Sequence, residues 1–118
     1  MRLRLLIRFR DVNSLIKYLR EELDKLSVTK RRLEEVLGMD AVVDIVELKD
    51  DNIDITRVRT TELKWLLNEI DTRIEAISVI LEELRDRLGG INYTGLVLLE
   101  LEDGIPRRVL LSQPLSLG

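Results

Sequence analysis

The stretch Leu63-Lys64-Trp65-Leu66-Leu67-Asn68-Glu69-Ile70-Asp71-Thr72-Arg73-Ile74-Glu75-Ala76-Ile77-Ser78-Val79-Ile80-Leu81-Glu82-Glu83-Leu84-Arg85-Asp86-Arg87-Leu88 decides the fold. Leu63, Leu67, Ile70, Ile74, Ile77, Leu81, Leu84 and Leu88 recur without interruption in a 4-3-4-3 step. A mean step of about 3.5 residues winds onto one face of an α-helix. Toward the N-terminus, Val12, Ile16, Leu19, Leu23, Leu26, Leu33 and Leu37 repeat the same step, broken only at Lys30. The chain therefore carries two long amphipathic helices, which speaks of packing and names no reaction.

The segments around the helices read as strands. Residues 2–10 alternate: Leu3, Leu5, Ile7 and Phe9 point one way and Arg2, Arg4, Arg8 and Arg10 the other, with Leu6 the exception. A period of two marks a half-buried strand. Asp11 is a good N-cap for the first helix, expected over 12–37 and ended by Gly38 in the C′ role. Ser27-Val28-Thr29 is a potential break. A second helix starting there would put Lys30, Arg31 and Arg32 at its positive N-terminal end, so one continuous helix is expected. Residues 41–48 and 52–59 are rich in β-branched side chains around the turn chemistry of Lys49-Asp50-Asp51-Asn52, although alternation in the second strand fails after Ile55. Thr60 or Thr61 caps the second helix, and Gly89-Gly90 stops it. Residues 96–102 and 106–112 form a further hairpin about Asp103-Gly104, with Pro106 assigning the return strand to an edge. The expected fold class is α+β: β-α-β-β-α over residues 3–88 with both helices on one face of an antiparallel sheet, a C-terminal β-hairpin extension over 91–113 and a loose tail over 114–118. All 118 residues form one domain.

Composition narrows the function. Charged residues make up 35% of the chain at a net charge of −3, a mixed-sign surface with no global signal for nucleic acid. The longest apolar runs are a few residues, so no membrane span and no secretory signal is expected. With no cysteine and no histidine, disulfides, thiolate chemistry, Cys/His zinc sites and Ser-His-Asp triads are excluded. The pairs Glu21/Lys25, Lys30/Glu34, Arg31/Glu35, Glu69/Arg73 and Glu83/Arg87 stand at i,i+4 and fit a heat-tolerant helical surface. A thermophilic, cytoplasmic protein is expected.

Candidate chemistry is sparse. Asp50, Asn52 and Asp54 have the 1-3-5 spacing of a calcium loop, but Ile55 stands where the sharp bend needs Gly and Thr61 where the bidentate Glu belongs. A solvated turn is expected. Adjacent carboxylates such as Glu21/Glu22, Glu34/Glu35 and Glu82/Glu83 diverge on a helix and do not converge on a substrate. No catalytic residue, metal site or cofactor is assigned, and the chain is expected not to be an enzyme. The arginines of the first strand, Arg2, Arg4, Arg8 and Arg10, would stand about 6.5–7 Å apart along one face. That spacing tracks a phosphate backbone, so they are the candidate RNA contacts; the alternative is a solvated face whose charges discourage edge aggregation. Lys30 in the first seam either fixes register or partner, or snorkels at the margin of an intramolecular contact. Trp65, Leu66, Val79 and Ile80 widen the second helix's apolar surface beyond its seam. With Lys30 they are the candidate interface residues, facing a second copy or another subunit, unless the C-terminal hairpin covers them.

Asn52-Ile53-Asp54-Ile55, followed by Thr61-Glu62-Leu63-Lys64-Trp65-Leu66-Leu67-Asn68-Glu69-Ile70 and Ile74-Glu75-Ala76-Ile77-Ser78-Val79-Ile80-Leu81-Glu82-Glu83-Leu84, resembles the last strand and "Leu-x-x-x-Leu-Asn" helix of the small Pcc-type subunit of the KEOPS complex, which makes threonylcarbamoyladenosine in tRNA. The resemblance implies a non-catalytic subunit whose dimers pair through their sheets and whose helices dock on the catalytic subunit. The charged run Lys30–Glu35 replaces that family's short Pro-containing connection, and residues 91–118 have no counterpart in it. A prefoldin-like co-chaperone, with two antiparallel helices flanking a hairpin, and a viral or plasmid dimeric structural protein are the alternatives.

Overall fold

The computed structural model describes residues 3–88 and 95–112, with the backbone alone at 87 and 88. The element order is β1 (Arg4–Phe9), α1 (Val12–Leu37), β2 (Val42–Lys49), β3 (Asn52–Arg59), a 3-10 turn (Thr60–Leu63), α2 (Trp65–Leu88), β4 (Val97–Glu102) and β5 (Ile105–Leu111). The fold is α+β with antiparallel strand pairs and two long helices.

Local chemistry accounts for the boundaries. The Asp11 side chain accepts from the Ser14 N–H at 2.8 Å, as an N-cap should. Ser27 and Thr29 do not break α1, because their hydroxyls bond back to the carbonyls of Leu23 and Lys25 at 2.9 Å and stay inside the helical ladder. Gly38 corrects the C′ expectation. It is right-handed (φ −76°, ψ −12°), and its N–H donates to the Glu34 carbonyl at 2.9 Å. Met39 N–H donates to Val36 O in the next turn, so no left-handed residue is needed. Both hairpins close on two-residue turns with positive φ at both centres: Asp50 (46°) and Asp51 (66°), then Asp103 (53°) and Gly104 (80°). That twist matches the strands they join.

The strands form two sheets, not one. β4 is the centre of a three-stranded sheet of order β1-β4-β5, while β2 and β3 make a two-stranded ribbon of their own. The C-terminal hairpin thus supplies the central strand that β1 pairs with. Val97, Leu99 and Leu101 of β4 lie opposite Phe9, Ile7 and Leu5 of β1 and face the helices. Together with Leu15, Leu19, Ile77 and Leu84 they form the core. Phe9 and Tyr18 add a tilted ring contact with centroids 5.3 Å apart. A register shift at Glu100/Leu101 brings Pro106 opposite Leu101, and β5 is an edge strand, where the missing N–H is tolerated. Asp103 ties the turn to the start of β1: its N–H donates to Leu3 O at 2.8 Å and its carboxylate accepts from Leu3 N–H at 3.0 Å.

The seams behave as their spacing requires. Leu19, Leu63, Ile77 and Leu84 are buried, and the other described seam residues are half-buried. Burial is greatest where the helix pair crosses the sheet. Toward the ribbon, among the described residues, the helices pack on each other and on the 3-10 turn. The 26 residues of α1 reach about 39 Å at 1.5 Å per residue, well past the sheet. The result is elongated, 66 × 32 × 18 Å, with a radius of gyration of 18.6 Å. A compact domain of this length would have about 13–14 Å.

Candidate interaction surfaces

The ribbon is built where α1 hands over to α2. Thr60, fully buried, fastens its base: the hydroxyl donates to Met39 O at 2.7 Å and accepts from Ala41 N–H at 3.4 Å. Thr60 N–H also donates to Ala41 O at 3.0 Å. Beyond this clamp, strands of eight residues reach about 25 Å into solvent. Register gives the ribbon two distinct faces. On one, Val46 lies opposite Ile55 and Leu48 opposite Ile53. These four residues are 64%, 64%, 77% and 69% exposed, and Val42 lies on the same face. Asp44 and Arg57 flank the patch with an ion pair at 2.9 Å, which holds the Asp44 carboxyl below the usual carboxylate range and pushes the Arg57 guanidinium up.

The other face carries half-buried Val43, Ile45 and Val58 toward the base and Glu47, Asp54 and Lys49 toward the tip. Glu47 and Asp54 are directly opposite each other, a like-charge arrangement that weakens a ribbon. Lys49 sits 3.8 Å from one and 3.9 Å from the other, and Asp50 and Asp51 stand at the turn beside them. Lys49 thus bridges Glu47 and Asp54 and is the one cation among residues 47–54, which hold four carboxylates.

The arginine row lies at the opposite kind of edge. β1 is a border strand, and Leu3, Leu5 and Leu6 along it are 71%, 55% and 58% exposed. Arg4 approaches the carboxylate of Glu100 at 3.8 Å, and Arg108 of β5 holds the same carboxylate at 3.0 Å, so Arg4 already has a structural task. Arg10 lies 3.6 Å from Asp11 with 91% of its side chain exposed. Arg8 is exposed, and among the described residues no acidic side chain lies within 4.0 Å of it. Arg2 lies outside the described residues.

The interface candidates do not form one patch. Val79 and Ile80 share a shallow groove of about 260 Å³ between α2 and β5, with Glu83, Arg107, Arg108 and Val109. Ile80 packs toward the core beside β5, whereas Val79 remains 53% exposed. Trp65, 51% exposed, and half-buried Leu66 are at the other end of α2, about 20 Å away along the helix. Lys30 reaches across the helix pair to Asp71 at 2.7 Å, and this bond, with the nearby charge, raises its pKa above the ordinary lysine value. The i,i+4 partner Glu34 is not the residue it binds. Lys25 likewise pairs with Glu22, at 3.4 Å, rather than with Glu21.

The ribbon's apolar face and its Glu47/Asp54 pair were not among the sequence candidates. The available signal was β-branched residues at both parities of 42–48, in a hairpin closed by two acidic residues. That pattern reads equally as a strand buried on both faces. Among the described residues no His/Cys/Asp/Glu group is arranged to hold a metal ion, and no helix is long and apolar enough to cross a membrane. No protein-family model, curated protein or solved structure matches the chain.

Proposed function

We propose that this protein is a non-catalytic scaffold subunit that associates with itself and with other protein chains in the cytoplasm of a thermophile. One observation carries the reading: the projecting ribbon presents Val46, Leu48, Ile53 and Ile55 to solvent side by side on one face. A two-stranded ribbon is at best marginal alone in water, and a contiguous exposed apolar patch marks a contact site. The resemblance of residues 52–84 to the small KEOPS subunit supplies the first partners to try, the other subunits of a tRNA-modification complex. Light scattering on the purified chain, with co-purification against those subunits, tests the proposal. A dimer or a stoichiometric hetero-complex is the expected result. A chain that stays monomeric at high concentration and retains none of them would overturn it.

A prefoldin-like holding role is the second reading. It is favoured by the helix-hairpin-helix unit of α1, the ribbon and α2, whose apolar ribbon face is free for a client. Suppression of aggregation of an unfolded client at equimolar ratio, abolished by Leu48→Lys, separates it from the scaffold reading.

A further inference from the structure

The ribbon and the β1 edge complement each other on both sides of a strand plane. β1 carries an apolar side (Leu3, Leu5, Ile7, Phe9) and a side where exposed Leu6 stands between Arg4 and Arg8. Toward its tip the ribbon carries an apolar side (Val46, Leu48, Ile53, Ile55) and, on the other, Glu47 and Asp54 beside Lys49. Laid edge to edge, the apolar sides continue one another, and the arginines meet the carboxylates. The protein already contains this pairing once. β4, the strand that does bond to β1, brings Glu100 and Glu102 to the arginine side, with Leu99 and Leu101 on the other.

Pairing β1 with a copy of itself fails the same test. Antiparallel registers that keep the two sides distinct set arginine against arginine, Arg4 opposite Arg8 or Arg10 when the pairing centres on Leu6 or Ile7, and like charges directly opposite are destabilising. β5 of a second copy brings Arg107 and Arg108 to the edge and fares no better. Toward its tip the ribbon carries Glu47, Asp50, Asp51 and Asp54 against the single cation Lys49, whereas on the β1 edge Arg8 has no acidic side chain within 4.0 Å among the described residues and Arg10 has only Asp11, at 3.6 Å.

We propose that the β2–β3 ribbon of one copy adds to the β1 edge of a second copy, with Arg8 and Arg10 of one chain facing Glu47 and Asp54 of the other. The exchange is reciprocal about a twofold axis, so it closes as a dimer. Main-chain hydrogen bonds along the free edge supply affinity, and the alternating side chains set register. This inference rests on the self-association reading and specifies its geometry.

The test is a charge swap read by light scattering. Arg8→Glu with Arg10→Glu makes the edge acidic; Glu47→Lys with Asp54→Lys makes the ribbon basic. All four positions are exposed, and circular dichroism checks that each variant folds. Wild type is expected at twice the 13.7 kDa chain mass. Each double variant alone is expected as monomer, its dimer dissociation constant raised by about 100-fold or more through like-charge contacts. An equimolar mixture of the two restores the dimer, because both interfaces then pair opposite charges. The chain with all four substitutions dimerises by itself, which keeps the test decisive if the mixture exchanges slowly. A wild-type monomer would remove this inference and the self-association reading together. Double variants that remain dimeric would remove the inference alone. Loss of tRNA binding without change of mass in the arginine variant would overturn it in favour of an RNA-contacting edge.

Discussion

Thr60→Val exchanges a buried hydroxyl for a methyl of nearly the same shape and tests whether one side chain sets the ribbon. The hydroxyl donates to Met39 O at 2.7 Å and accepts from Ala41 N–H at 3.4 Å, bridging the exit of α1 to the foot of the ribbon. Valine keeps the packing and leaves both backbone groups without that partner. The cost of orphaning such groups is about 1–3 kcal/mol. The short donor bond to Met39 contributes most of it, since the 3.4 Å contact is near the limit of a hydrogen bond. In a chain this size that lowers Tm by about 3–15 °C at fixed protein concentration. Stability alone does not isolate the clamp, because Thr60→Ser also costs about 0.8 kcal/mol for the lost methyl. Amide hydrogen exchange does: Ala41 N–H exchanges faster in the valine variant and keeps its protection in the serine variant. A valine variant with unchanged Tm and unchanged exchange at Ala41 would show that the ribbon is held by something else.

Two leucines of equal chemistry should behave oppositely. Leu99→Ala, at a position with no exposure, should cost about 2–5 kcal/mol in urea unfolding. Leu48→Ala, 77% exposed, should leave monomer stability within about 0.5 kcal/mol while weakening assembly. Acid should act through Asp11 and Asp44, whose carboxyls are held below the ordinary range by the Ser14 N–H and by Arg57. A depressed folded value means that the stabilisation is full above the unfolded pKa of about 3.9 and is lost as pH falls through the folded values. Thermal melts from pH 6 downward should therefore fall less steeply for Asp11→Asn with Asp44→Asn than for wild type.

Periodicity made the helices legible because helix faces are set by local spacing. Val12–Leu37 and the run ending at Leu88 follow directly from the seams. Turn chemistry did the same for Asp50-Asp51 and Asp103-Gly104. Strand partnership was not legible. Alternation in β1 says that one side is buried and does not say whether β2 or β4 lies beside it; that depends on contacts separated by about a hundred residues. Assigning β1 to the nearer hairpin made residues 97–111 look like an extension, although Val97 and Leu99 are fully buried. The same assignment hid the ribbon's face. Val46 and Leu48 look like core when a sheet is expected to receive them, and are exposed because the ribbon stands alone. Lys30 shows the reverse: its departure from the seam was visible, while its partner Asp71 lies on the other helix and no local rule points to it.

The decisive property is whether another chain covers the ribbon's apolar face. Sedimentation equilibrium of wild type beside Leu48→Lys with Ile53→Lys measures this directly. The expected outcome is an assembly for wild type and a monomer with an unchanged thermal melt at low concentration for the variant, since both positions are more than two-thirds exposed. A wild-type monomer across the concentration range, or a variant that assembles as wild type does, would mean that the face is simply solvated and the scaffold reading is wrong.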